Sequence, residues 1–143
     1  MLKALKMTLE INKNRTIAEL QYQFSKMYPY LKIEFFTRPH EAGGASWSKY
    51  MIFNRTKTMG EIGTLATNEN SFDVEPAMSV NDFEQGLQSK YGLSVQVFRK
   101  SMGSWIATTE SDTWTLGVQN EKGGQSATSI NEIVFVARDN QED

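Results

Sequence analysis

The chain has no cysteine, a single histidine and three prolines in 143 residues. Without cysteine there are no disulfides, zinc–thiolate sites, cysteine-ligated iron–sulfur clusters or thiol nucleophiles. One histidine leaves metal binding to carboxylates, and no D-x-D-x-D-G calcium loop occurs, so neither a metal nor a cofactor is expected. Long apolar runs are missing too: nothing approaches the ~20 residues that span a bilayer. The opening segment, Met1 to Met7, is too short and too interrupted by Lys3 and Lys6 for a secretory core. A cytoplasmic protein without a membrane partner is the expectation. No G-x-S-x-G or H-E-x-x-H motif occurs, and the stretches Ala42-Gly-Gly-Ala and Lys122-Gly-Gly-Gln lack the Lys-Ser/Thr of a P-loop. The glycine pairs Gly43-Gly44 and Gly123-Gly124 therefore read as turns.

What is present is an ordinary apolar content, 39% hydrophobic and 11% aromatic, which excludes a disordered or collagen-like chain. The formal net charge of −2 conceals an uneven distribution. Residues 1–63 hold ten basic and five acidic side chains, a balance of +5, whereas residues 64–143 hold five and twelve, a balance of −7.

Sliding the sequence along itself by 63 positions brings Thr8–Leu20 over Ser71–Phe83. Thr8 then meets Ser71, Leu9 meets Phe72, Ile11 meets Val74, Thr16 meets Ser79, Leu20 meets Phe83 and Tyr28 meets Tyr91. Each copy reads as a short alternating strand, a capped helix and a second strand. Thr16-Ile-Ala-Glu19 is a capping box and Ser79-Val-Asn-Asp82 a shorter variant of it. Pro29 and Gly92 stop the helices at equivalent places. Leu31–Phe36 and Leu93–Phe98 are the clearest strands. A third strand is expected in each copy, over Trp47–Phe53 and Trp105–Thr109. Thr58–Glu61 and Thr115–Val118 read as short helical turns, and residues 132–137 as a last strand.

The fold class expected is α+β, an internal duplication of two β-α-β-β units with pseudo-twofold symmetry. Its helices would pack against an antiparallel or mixed sheet. The chain would form a single domain over 1–143, with unit one at about 1–63, unit two at about 64–137 and a polar acidic tail at 138–143. Neither unit could bury a full core alone at this size.

His40 lies in a glycine-bearing loop, where a general base with Glu41 or Ser46 is conceivable. The plainer reading is an exposed histidine without a partner. Glu110 and Asp112 read as a solvated acidic pair on a turn. No catalytic residue is assigned, and an enzyme centred on the His40 loop ranks last. The candidate binding residues are Lys32, Arg38, His40, Trp47, Lys49, Tyr50, Arg55 and Lys57, where cations and aromatics alternate. Such a set suits single-stranded nucleic acid, whose bases stack and whose phosphates attract cations. A sequence pI near 5.5 opposes general affinity for a polyanion. The favoured function is a non-enzymatic interaction protein that contacts a protein partner or itself.

Finally, Ser94–Ser101, Trp105 and Asp112-Thr-Trp-Thr-Leu-Gly-Val-Gln-Asn120 resemble a signature of small bacterial proteins, over about residues 79–120. The resemblance implies a bacterial cytoplasmic origin and attaches no activity or site.

Overall fold

The computed structural model describes residues 7–41, 43–44 and 48–127. Trp47, the strand expected over 132–137 and the tail 138–143 lie outside the described residues.

Strands β1 (Thr8–Glu10) and β3 (Ser71–Asp73) follow the alternating pattern, burying Leu9 and Phe72 between exposed or half-buried neighbours. They pair antiparallel with Leu9 opposite Phe72, as a two-stranded sheet. Helix α1 (Ile17–Met27) starts at Thr16, whose hydroxyl accepts the Glu19 N–H while the Glu19 carboxylate accepts the Thr16 N–H. Both donors are thereby satisfied in a full capping box. Ile17, Leu20 and Phe24 form its buried stripe. Helix α3 (Val80–Tyr91) starts at Ser79, which accepts the Asp82 N–H, and ends at Gly92 in the left-handed region, φ 65°.

Strands β2 (Leu31–Phe36) and β4 (Ser94–Ser101) pair antiparallel with Glu34 opposite Gln96, and β5 (Ser104–Ala107) adds to the far side of β4. Helix α1 packs on β2 and α3 on β4. A single apolar cluster takes Leu20, Phe24, Ile33 and Phe35 from one half and Phe83, Leu87, Val95 and Val97 from the other. Phe24 and Phe83 meet at its centre, ring centroids 5.2 Å apart. All strand pairing among the described residues is antiparallel, and the class is α+β as expected.

Each helix start is tied to a later one. Ile17 N donates to Lys57 O and Met59 N to Arg15 O, joining α1 to α2 (Met59–Ile62). Val80 N donates to Trp114 O and Leu116 N to Met78 O, joining α3 to a helix, α4, that runs through residues 116–127. Thr16 bridges Thr58, and Ser79 bridges Thr115.

Three expectations need correction. The third strand of the first half is a 3-10 turn over Ser48–Tyr50, followed by Met51 bridged to Phe36. Ser48, Lys49 and Tyr50 bury nothing deeply, so no apolar stripe holds them in a ladder. The helical turn at Thr115–Val118 is the first turn of α4. Gly123 and Gly124 consequently lie within a helix rather than a turn. Their job is close approach: a Cβ on Gly123 would fall 2.7 Å from Tyr30 Cβ, and one on Gly124 would fall 3.1 Å from the Tyr30 ring.

Candidate functional site

In an antiparallel sheet alternate residues turn their main-chain groups to opposite edges. Lys100 N donates to Tyr30 O across the β2–β4 seam, so Leu31, Ile33 and Phe35 present their carbonyls to the outer edge of β2. Val95 and Val97 do the same on the outer side of β4. Each outer edge forms one wall of a groove, and the adjoining helix forms the other.

The groove beside β4 is filled by the chain's own loop. His40 lies there with its side chain 6% exposed. Its Nε2 is 3.1 Å from Val95 O and 3.5 Å from Glu84 Oε1, and its Nδ1 is 2.9 Å from Glu41 O. Both ring nitrogens face oxygen atoms. Gly43 N donates to Asp112 Oδ2 at 2.7 Å, and Gln85 Nε2 lies 3.5 Å from His40 O. Gly43 has φ 73°, which lets the loop turn into the groove.

Glu84 is the floor of this groove. It is 2% exposed and accepts from Val97 N at 2.7 Å and Gln96 Nε2 at 3.1 Å. Burial pushes its carboxyl up to about 7, against the Val97 N–H and His40, which favour the anion; Asp112 adds to the rise.

The groove beside β2 has no loop in it among the described residues. It is a cavity of about 430 Å³ lined by Gln21, Tyr22, Ser25, Lys32, Ile33, Glu34, Arg55 and Trp105. Gln21 Nε2 donates to Ile33 O at 2.9 Å and to Glu34 Oε2 at 3.2 Å, and Arg55 Nε donates to Gln21 Oε1 at 2.6 Å. Lys32 Nζ is 3.4 Å from Glu34 Oε1 and lies over the Phe98 and Trp105 rings. Tyr22, 66% exposed, and Trp105, 37% exposed, stand at the rim.

Of the residues singled out from sequence, Lys32 and Arg55 meet in this open groove. Arg38 and Lys49 instead sit over the Tyr50 ring, at 4.5 Å and 5.1 Å from its centroid. Lys57, which precedes the N-cap of α2, pairs with Glu61 in its first turn, at 3.3 Å. His40 is neither exposed nor without a partner, because a buried carboxylate and a strand-edge carbonyl draw it in. Asp112 is not solvated either: it is 8% exposed and engaged by the same loop. Glu84, Gln21 and Gln96 were missed. Glu84 falls on the α3 apolar stripe with Val80, Phe83, Leu87 and Tyr91, and a charged residue at a stripe position was the available signal.

Among the described residues, no helix is long and apolar enough to cross a membrane, and no group of three or more His, Asp or Glu could hold a metal ion. Compared with protein-family models, curated proteins and solved structures, the chain matches none.

Proposed function

We propose that this is a cytoplasmic, non-enzymatic interaction protein, built by duplication, that docks an extended segment of a partner protein in the groove beside β2. The duplication is supported by main-chain contacts that recur at fixed offsets, 63 residues for the long helices and 57 for the capped helices after them. Met59 N to Arg15 O corresponds in this way to Leu116 N to Met78 O, and Gly60 N to Lys13 O corresponds to Gly117 N to Pro76 O. The β1–β3 register maps onto itself, with Ile11 N to Asn70 O answered by Val74 N to Met7 O. Glu34 and Gln96, which face each other across β2 and β4, mark the pseudo-twofold axis. Within the described residues the common unit is β-α-β plus a capped helix, and β5 belongs to the second half alone.

One observation carries the functional reading: of two corresponding grooves, one already holds an irregular peptide segment, the loop around His40. The fold thus contains its own precedent for binding a chain segment against a strand edge. Beside β2, from Leu31 to Glu34, no strand lies on the outer edge among the described residues. The edge's outward carbonyls at Leu31 and Ile33 accept from the Ser25 hydroxyl and the Gln21 amide, and an extended peptide adding there would exchange these side-chain bonds for main-chain ones.

The aromatic rings favour protein over nucleic acid. Trp105 carries Lys32 and Lys100 over its ring, Tyr22 carries Lys26, and Tyr50 carries Arg38 and Lys49. These faces are engaged by cations of the same chain, in competition with any stacked base. The engaged ring of His40 likewise speaks against general-base chemistry.

Amide chemical shifts of the isotope-labelled chain at low salt test the proposal. A set of short extended peptides is expected to move amides of α1, β2 and residues 54–57. If every peptide leaves those amides unmoved, the docking reading is refuted. Movement by a single-stranded oligonucleotide alone would establish the nucleic-acid alternative.

A further inference from the structure

Resting on that reading, we propose that the open groove recognises a carboxylate, so that its occupant is an acidic stretch of a partner protein. The two grooves differ in the polarity of their walls. In the filled groove the loop's donors meet the acidic and carbonyl acceptors of the walls, and the long Gln85 Nε2 to His40 O contact, at 3.5 Å, is the one of opposite sense among the described residues. Gly43 N donates to Asp112, and His40 Nε2 faces Glu84 and Val95 O. At the offsets of 63 and 57 residues, Glu84 corresponds to Gln21 and Asp112 to Arg55. Both acids that hold the loop are therefore replaced in the open groove, one by an amide and the other by a cation.

The replacement is built rather than incidental. Arg55 Nε is fixed on Gln21 Oε1 at 2.6 Å, and the terminal guanidinium nitrogens donate to none of the described residues. A guanidinium held by one edge presents its remaining N–H groups as a planar fork, the geometry that a carboxylate accepts through two parallel bonds. Lys32 supplies a second cation in the same lining. Glu34, the one acid among the lining residues, is already held by Lys32 at 3.4 Å and Gln21 at 3.2 Å, so it leaves the groove net positive. Where the filled groove selects donors, the open one selects acceptors with negative charge.

A chain segment, rather than a small free acid, follows from the precedent of the loop and from the strand edge running along the groove. The partner is taken to be another protein, and a second copy of this chain is an outcome that the test separates.

The probes are a capped hexapeptide of alternating Asp and Thr, and the same peptide with Asn for Asp. Each is titrated into the full chain at low ionic strength and followed by calorimetry and amide shifts. The Asp peptide is expected to bind at the β2 groove at least about tenfold more tightly than the Asn peptide, the scale of one charge-assisted hydrogen bond. Arg55→Gln, on an exposed side chain, is expected to leave the circular dichroism unchanged and to erase that preference. A control, Lys26→Gln, outside the groove lining, is expected to retain it. Equal binding of both peptides at the groove overturns carboxylate recognition while docking stands. Failure of both peptides to move the groove amides removes docking and carboxylate recognition together. Salt-sensitive dimerisation of the free chain, abolished by Arg55→Gln, would assign the acid to a second copy and overturn the separate partner.

Discussion

Burying Glu84 makes the stability of the fold depend on pH in a direction opposite to that of most carboxylates. In the unfolded chain its carboxyl titrates at about 4.5, and in the fold burial pushes it up to about 7. Between those values the folded chain keeps a proton at Glu84 that the unfolded chain has released. Raising the pH therefore pulls the equilibrium toward unfolding. The contribution of Glu84 is complete below about pH 4.5, declines up to about pH 7 and is flat above it. At 1.36 kcal/mol per pH unit the whole span is worth about 3 kcal/mol. The Val97 N–H and His40 favour the anion and limit the rise from within. Surface carboxylates work the other way: Glu61, lowered by hydrogen bonds to Lys57 and Thr58, and Glu19, lowered by Thr16, lose their contribution as the pH falls. A control is needed to separate them. Glu84→Gln keeps an acceptor for Val97 N and does not titrate. Urea unfolding of both proteins from pH 4 to 8 reads Glu84 together with its contact to His40 in the difference, because the groups remote from that pair are common to both. The wild type is expected to lose up to about 3 kcal/mol relative to Glu84→Gln as the pH rises through that window. A difference that stays flat, or that grows in favour of the wild type, would refute the assignment of Glu84 as an acid whose carboxyl is raised by burial.

Three further outcomes follow from the fold. Thr16→Ala removes the hydroxyl that caps α1 and half of its capping box, and thermal unfolding is expected to report a loss of about 1 kcal/mol. Gly92→Ala combines φ 65° with a Cβ only 2.5 Å from Thr64 Oγ1, so chemical denaturation is expected to show destabilisation beyond the ~1 kcal/mol of the backbone term alone. Cutting the chain at Thr67 separates β1 from β3 and β2 from β4, leaving β4–β5 as the one intact strand pairing among the described residues. Each fragment is expected to be unfolded alone by circular dichroism and to regain structure when the two are mixed.

The sequence made some features legible because they are local. Thr16 and Ser79 sit three residues before a carboxylate, and the apolar stripes of α1 and α3 recur at helical spacing. Both are properties of one turn of chain, and both appear where expected. The strand expected over Trp47–Phe53 failed because a strand needs a neighbour in register, and among the described residues that segment meets the end of β2 through one bridge, Met51 to Phe36, flanked by Ile52 N to Phe35 O and Thr37 N to Tyr50 O. Gly123 and Gly124 were misread because their use depends on Tyr30, more than ninety residues earlier. The binding residues split for the same reason. Arg55 and Lys32 meet because α1 and β2 bring them to one groove, whereas Arg38 and Lys49 are consumed by Tyr50. The pairing of His40 with Glu84 joins the two halves, and no spacing within either half encodes it.

The charge imbalance between the halves gains a partial structural account from the same comparison. Replacing Gln21 by Glu84 and Arg55 by Asp112 accounts for three of the twelve charge units that separate +5 from −7. Those three units are not spread over a solvated surface. Glu84 and Asp112 are buried, and both hold the loop. A carboxylate is costly to bury, and exchanging Glu84 for an amide would relieve that cost. Its presence at the floor of a groove is therefore better accounted for by what it holds than by what it adds to stability. The loop carries a histidine and an outward N–H, and those groups suit acids. The corresponding groove carries a guanidinium pinned by an amide and suits the opposite ligand. On the proposed duplication, a difference at two aligned positions would leave one groove closed by its own loop and the other open to a partner.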